Sequence, residues 1–318
     1  MKRVLVTGAH GFLGRHTAAH FKKHGYEVIG IGHGFWKNDD PENSGIDQWI
    51  EADVDVRSLA KITKRIDYVV HCAGGSSVGC SVAAPMLEFQ KTVTSTINIL
   101  EYIRTRQPAA KLIVPSSAAV YGEREDKPIL ESESLNPVSP YGFYKKITEE
   151  LCEAYAGNFN LSIVVIRFFS IYGNGLRKQL LWDACTKLSS TSRKVFFYGT
   201  GEETRDWLHV DDAVSLIYLM SQVGDRYNIV NGGGGRRETV LNILVQLKKL
   251  LGTRAEIVMN GNRKEGDPLH YWADIAKSQH YGWRPQKNIG NGLEEYVNWF
   301  QKDQKNTDLL ARVNGNEE

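Results

Sequence analysis

Val4-Leu-Val-Thr-Gly-Ala-His-Gly-Phe-Leu-Gly14 is an apolar run, a turn carrying Gly8, Gly11 and Gly14, and the start of a helical pattern. Glycine is needed where such a turn is tight and where main chain must approach a pyrophosphate closely. A third glycine lets the helix pack on the strand, and the helix N-terminus favours the anion. The triplet stands in the strand–turn–helix context that gives such a motif meaning. It predicts a dinucleotide site at the head of the chain.

Working outward, Val28–Ile31, Tyr68–Val70, Leu112–Val114 and Ile163–Ile166 join Val4–Val6 as short Val- and Ile-rich runs without polar alternation. Between them lie helical patterns over Phe12–His24, Arg57–Lys64, Pro85–Arg104 and Pro140–Gly157. This alternation predicts an α/β fold with a doubly wound parallel sheet, covered on both faces. After about residue 170 the pattern changes: 171–207 is irregular, Asp211–Ser221 reads as a helix and Tyr227–Val230 as a strand. From Glu238 two or three helices and a short strand, Glu256–Met259, follow. We expect residues 1–169 to form the dinucleotide-binding domain, with 207–231 returning to it. Residues 170–206 and 232–300 are expected to form a smaller, interleaved substrate domain, and the polar tail 301–318 to fray.

Composition excludes several classes. The 318 residues carry 39 Lys and Arg against 37 Asp and Glu, without a basic tract, so neither nucleic acid nor a membrane surface is an expected partner. Cys72, Cys80, Cys152 and Cys185 form no CxxC pair, which argues against a zinc knuckle or disulfide framework. No signal-peptide pattern and no membrane-length apolar run is present, so a cytoplasmic location is expected.

On the adenosine side, dinucleotide folds usually end the second strand on a carboxylate that binds ribose hydroxyls. Here that position reads Ile31-Gly32-His33-Gly34, and Asp39 and Asp40 come several residues late. Arg15 and His33 stand where they would meet a 2′-phosphate, so the cofactor expected is NAD or NADP, with NADP(H) slightly favoured. Asp53-Val54 resembles the pair that brackets the adenine in dinucleotide-binding dehydrogenases, and Asp53 reads equally as a strand-end residue capping the next helix.

Ser139-Pro-Tyr-Gly-Phe-Tyr-Lys145 predicts a helix with Ser139 as N-cap and Pro140 in its first position. Tyr141 and Lys145 then share one face. A phenol with a pKa near 10 is a poor base at neutral pH, and a neighbouring cation would favour its ionised form. Upstream, Pro115-Ser-Ser117-Ala-Ala-Val-Tyr-Gly122 follows an apolar run and places a hydroxyl at the sheet's carboxyl edge.

Together these motifs resemble the extended short-chain dehydrogenase/reductases, in particular the nucleotide-sugar epimerase/dehydratase group, over roughly residues 2–300. The resemblance rests on Thr7–Gly14, His71-Cys-Ala-Gly74, Ser117–Gly122 and Tyr141–Lys145. It continues through Arg167-Phe-Phe-Ser-Ile-Tyr-Gly173, Gly199-Thr-Gly-Glu-Glu-Thr-Arg-Asp206 and His209-Val-Asp-Asp212. It implies a Rossmann domain with a smaller C-terminal sugar-nucleotide domain, and Ser117, Tyr141 and Lys145 as catalytic residues. Gly8, Gly11, Phe12, Leu13, Gly14, Arg15, His33, Asp53, Val54, Ala73, Tyr141 and Lys145 would face the cofactor. Ser76, Ser117, Ser170, Arg205 and Arg263 would face the substrate, the two arginines at its diphosphate. The helices Met86–Arg104 and Tyr141–Gly157 would build a homodimer through a four-helix bundle.

This chain departs from the family pattern at Ser170 and Thr92, where Asn is frequent. It also carries Ala118 and Ala119 where 4,6-dehydratases place an Asp-Glu acid–base pair, which sets dehydration aside. His16, His20 and His24 have metal-ligand spacing, but they are read as solvent-facing, and no metal is expected. Trp207 and Trp272 are given no role. The first-ranked function is C4 epimerisation of a nucleotide hexose through a 4-keto intermediate. An NADPH-dependent reductase of a 4-keto-6-deoxy nucleotide sugar ranks second, and a non-catalytic dinucleotide-binding protein third.

Overall fold

Strands rich in β-branched residues, with no polar face, are stable only when helices cover both sides of their sheet. That is how the chain is built. The computed structural model describes residues 1–34, 44–75, 77–262 and 268–314, with side chains to residue 306. The chain begins β1 (Arg3–Thr7), α1 (Phe12–Lys23), β2 (Glu27–Gly32), β3 (Gln48–Glu51), α2 (Val56–Ala60) and β4 (Tyr68–His71). Then come α3 (Val78–Ala83), α4 (Pro85–Phe89), a π-helical turn at Gln90–Thr94, α5 (Ser95–Arg106) and β5 (Lys111–Ser117). The middle of the chain forms α6 (Pro140–Phe159), β6 (Ser162–Phe168), β7 (Ser170–Tyr172), α7 (Gln179–Leu188) and β8 (Lys194–Phe197). β9 (Thr204–Arg205), β10 (Trp207–His209), α8 (Val210–Gln222), β11 (Tyr227–Gly232) and β12 (Glu238–Thr239) follow. The chain ends with α9 (Val240–Leu251), β13 (Glu256–Met259), β14 (His270–Tyr271), α10 (Ala276–His280) and α11 (Ile289–Asn314).

Seven strands form one parallel sheet in the order β11-β6-β5-β4-β1-β2-β3. The chain winds outward from β1 in one direction, then from β4 in the other. The crevice between the carboxyl ends of β1 and β4 is therefore the switch point where such sheets bind ligands. Alternate residues of β1 supply the two faces. Val4 and Val6 pack with Phe21, Leu216 and Met220 under α1 and α8. Leu5 packs with Leu59, Ile99, Leu100 and Cys152 under α2, α5 and α6. A third core, with Leu181, Leu188, Leu244, Tyr296 and Phe300, joins α7, α9 and α11.

Several local expectations change: the stretch 171–207, expected to be irregular, contains α7, and no apolar run announces β3. The helix expected over Arg57–Lys64 closes at Ala60, and Ile62 and Ile66 turn into the core. β3 carries a single aliphatic residue, Ile50, because an edge strand needs less apolar surface. The stretch from Gln301 continues α11 as far as Asn314 rather than fraying. The buried Tyr296 and Phe300 anchor that helix, and Asp303 pairs with Arg177.

Candidate active site

The glycine turn forms a cradle that side chains would fill. Gly8 has φ +63°, and a Cβ there would lie 2.8 Å from the Ala73 nitrogen. A Cβ at Gly14 would lie 2.2 Å from the Gly8 carbonyl oxygen. Gly11 is the N-cap of α1 and supplies no side-chain acceptor to the first-turn N–H groups, which remain donors for an anion. The Thr7 hydroxyl lies 2.7 Å from His71 Nδ1 and accepts from the Ala73 N–H, which ties the ends of β1 and β4. Burial pushes the His71 imidazole down to about 3, so it is neutral at ordinary pH. This turn fits a nucleotide diphosphate. Phe12 and Leu13, at the start of α1, pack against the third and first cores respectively, and Arg15 is half-buried one turn on.

At the adenosine side, His33 Nε2 lies 2.7 Å from Asp53 Oδ1, and both side chains are exposed. The acid absent from the end of β2 thus arrives from the segment after β3. Val54 is buried, and its carbonyl accepts from Asn98. A Cβ on Gly32 would make ordinary contacts, 3.4 Å from Gly8 Cα and 3.5 Å from the Trp49 ring.

Ser117, Tyr141 and Lys145 meet at the carboxyl end of β5. Ser139 Oγ accepts from the Gly142 N–H and starts α6, as its sequence predicts. Gly142 lets the helix approach the turn after Ser117, since a Cβ there would fall 2.5 Å from the Ala119 oxygen. Ser117 Oγ accepts from the Ala119 N–H at 3.2 Å, and the Ser117 side chain acts on the nearby Tyr141 phenol. The Lys145 amine donates to the Pro115 carbonyl at 2.9 Å. Burial raises the Tyr141 phenol, the Ser117 hydroxyl opposes that, and Glu88 adds to it. Burial lowers the Lys145 amine. The cation expected to act on the phenol is thus engaged elsewhere, and the leading influence on Tyr141 is burial.

Ser170 opens β7 beside this site, and its N–H donates to the Asp206 carbonyl. Arg205 lies on β9 and donates to the carbonyls of Thr204 and Leu269. Ser76 and Arg263 lie outside the described residues. Tyr271 donates to the Ala118 carbonyl, so the smaller lobe touches the turn after Ser117.

Four groups here had no role assigned from the sequence, although Thr92 stood out as a departure from the family pattern. Thr92, in the π-helical turn, accepts from the Gly75 N–H at 2.8 Å, and π-turns inside helices mark functional sites often. Asp206 is fully buried and accepts from the backbone of Gly234, Gly235 and Ala273. Burial pushes its carboxyl up to about 7 against those three donors. Glu149 and Arg167 pair beneath Ser116. Glu88 is buried beside Gly75.

The first-helix histidines are not simply solvent-facing. His20 and His24 stack on each other, and His24 stacks on Tyr218 of α8. Among the described residues His209, Asp211 and Glu295 bring ligand atoms together, but the Lys287 amine, 2.7 Å from Glu295, is the cation there. No described helix is long and apolar enough to cross a membrane.

Residues 4–233 match the model of the NAD dependent epimerase/dehydratase family. A Thermotoga maritima UDP-glucose 4-epimerase solved with UDP-glucose is 29% identical with a TM-score of 0.86, covering 95% of this chain and 99% of that one. A Bacillus cereus UDP-glucuronic acid 4-epimerase, solved with UDP-glucuronic acid and NAD, is 26% identical with a TM-score of 0.83 over 94% and 99% of the two chains. A Streptomyces venezuelae dTDP-glucose 4,6-dehydratase with NAD bound is 26% identical with a TM-score of 0.87 over 95% and 98%. Fold likeness alone therefore does not separate the reactions, and the Ala118-Ala119 pair bears on that choice. With its glycine cradle, its Ser117–Tyr141–Lys145 grouping and this match over most of its length, the chain belongs to the NAD-dependent epimerase/dehydratase family.

Proposed function

We propose that the protein is a nucleotide-sugar C4 epimerase acting through a 4-keto sugar. The observation that carries this reading is the gathering of Ser117, Tyr141 and, one helical turn on, Lys145 at the carboxyl end of β5 beside the glycine cradle, with Ser117 acting on the Tyr141 phenol. Tyr141 would take the proton from the C4 hydroxyl and later return it, with Ser117 orienting the same oxygen. Lys145 would hold nicotinamide ribose. Gly8, Gly11, Gly14 and the α1 N-terminus would cradle the cofactor diphosphate, with Phe12, Leu13, Arg15, Ala73 and Val54 around it. Bound NAD(P) supplies hydride acceptance and return. Arg205, with Arg263, would hold the sugar-nucleotide diphosphate, where planar guanidinium groups suit bidentate contacts, and Ser76 and Ser170 would line the sugar.

The domain division follows the same reading: residues 1–169 with 207–231 for the cofactor, 170–206 and 232–300 for the substrate. α5 and α6 would pair with their counterparts in a homodimer. Dehydration is disfavoured because Ala118 and Ala119 offer no acid or base. The test is to incubate cofactor-loaded protein with nucleotide hexoses. Interconversion at constant cofactor oxidation state supports epimerisation, and stoichiometric loss of NADPH would move the assignment to reduction.

A further inference from the structure

Glu88 is 5% exposed, and its Oε2 is buried without a hydrogen-bond partner. A carboxylate has about four acceptor positions, and a buried one ordinarily fills them. The closest cation, Lys91, holds its amine 3.9 Å from Oε1, beyond hydrogen-bond reach. The space that Oε2 occupies exists because residue 75 is glycine. A Cβ there would lie 2.1 Å from Oε2 and 3.0 Å from the Thr92 hydroxyl. That hydroxyl is already committed to the Gly75 N–H. The carboxylate is therefore held against the loop that follows β4, at the switch-point crevice. Its field reaches two groups nearby: it adds to the rise that burial imposes on the Tyr141 phenol and opposes the fall that burial imposes on the Lys178 amine. α4 and α6 are locked together there by the Phe89 and Tyr144 rings, 5.5 Å apart.

We propose that Glu88 is a specificity-determining residue of the hexose site. Its free oxygen accepts a hydrogen bond from a sugar hydroxyl, and its charge selects an uncharged hexose over a hexuronate. The argument rests on the nucleotide-sugar reading above. A hydroxyl-bearing ring gives Oε2 the donor it lacks. A second carboxylate would leave that oxygen unmet and add like-charge repulsion in a site poor in water. Lys91 and Lys178 are the cations facing Glu88. Lys91 pairs with its Oε1 at 3.9 Å and leaves Oε2 unmet, and the Lys178 side chain opens to solvent at the start of α7. Sites built to bond a particular group reject analogues that cannot supply it.

The experiment is calorimetric titration of the NAD-loaded protein with UDP-glucose and with UDP-glucuronate, for wild type and Glu88→Gln. Glutamine keeps the shape and removes the charge. Wild type should bind the uncharged sugar nucleotide at least tenfold more tightly. Glu88→Gln should narrow that ratio at least fivefold, mainly by tighter uronate binding. An unchanged ratio in the variant, or a wild-type preference for the uronate, overturns the proposal. The wild-type ratio decides by itself if the variant does not fold. Binding of neither sugar nucleotide to wild type would instead bring down the nucleotide-sugar reading, and this inference with it.

Discussion

Arg167 lays its guanidinium on the Glu149 carboxylate through bonds of 2.8 and 3.0 Å, with both side chains almost wholly out of solvent. The pair ties β6 to α6 directly beneath the strand end that carries Ser117. Ser116 also donates to Glu149, and the guanidinium reaches Tyr121 and the Glu131 carbonyl. A buried pair contributes little net stability compared with a well-packed apolar one, but breaking it strands a charge. Glu149→Ala should therefore destabilise the fold by about 3–5 kcal/mol, since Arg167 is left buried and uncompensated. Denaturant unfolding measures this. A loss under about 1 kcal/mol would mean that Arg167 finds another partner or water.

Tyr141→Phe removes one oxygen from a half-buried ring. The backbone anchors of the helix start, Ser81 Oγ to the Tyr141 N–H and Ser139 Oγ to the Gly142 N–H, do not involve that oxygen. Stability and cofactor binding should be nearly unchanged, while turnover should fall by about 100- to 10,000-fold, the usual contribution of a positioned acid–base group. The check is a sugar-interconversion assay alongside a cofactor titration. Full activity in the variant would remove Tyr141 from the reaction.

Much of this was legible in the sequence, and the reasons are physical. The five strands read from the sequence are buried on both faces, so each stands out as an aliphatic run whose period does not depend on tertiary context. The glycines at 8 and 14 are fixed by main-chain contacts within a few residues or across one strand pair, so the local pattern specifies them. Ser139, Pro140 and Tyr141 carry their meaning through local capping geometry. Glu88, Asp206 and Glu149 were not legible. Each is a charged residue in an ordinary helical or loop context, and its burial depends on elements far along the chain, such as Asp206 with Gly234 and Ala273. The pairing of His33 with Asp53 was hidden for the same reason: it joins two strand ends 20 residues apart.

His20 gives a pH dependence with a definite sign. Burial, then the neighbouring His24 and Lys23, push its imidazole down to about 4, while Asp211 opposes them. The Tyr218 ring also packs against it. The folded state thus resists protonation that the unfolded chain accepts near 6.5. The unfolded state binds more protons between those values, so this residue's contribution to stability is present above about pH 6.5 and is lost as pH falls towards 4. His20→Gln should reduce the acid-side stability loss between pH 7.5 and 4.5 by about 1–3 kcal/mol. Urea unfolding of both proteins at the two pH values tests it. An unchanged difference would show that His20 gains enough water on protonation to offset its burial.

Cofactor choice is expected to turn on Gly32, His33 and Asp53. With glycine at the end of β2, no acid there repels a 2′-phosphate or accepts from a free ribose diol. The sequence therefore leaned towards NADP(H). The structure adds Asp53, whose carboxylate lies 2.7 Å from His33 and stands in the same exposed corner. It would restore an acceptor for ribose hydroxyls, and it engages the imidazole that would otherwise face a phosphate. The two effects oppose each other, so wild type should bind NAD(H) and NADP(H) within about tenfold of each other, a difference of about 1.4 kcal/mol. Gly32→Asp is sterically open, since its Cβ meets only ordinary contacts at 3.4 and 3.5 Å. It adds a second acid and should move preference at least about tenfold towards NAD(H). Asp53→Asn removes the first acid, frees His33 and should move preference the other way. Titrating both cofactors into cofactor-free wild type and the two variants decides the matter: shifts in the same direction for both substitutions would show that neither residue reads the ribose.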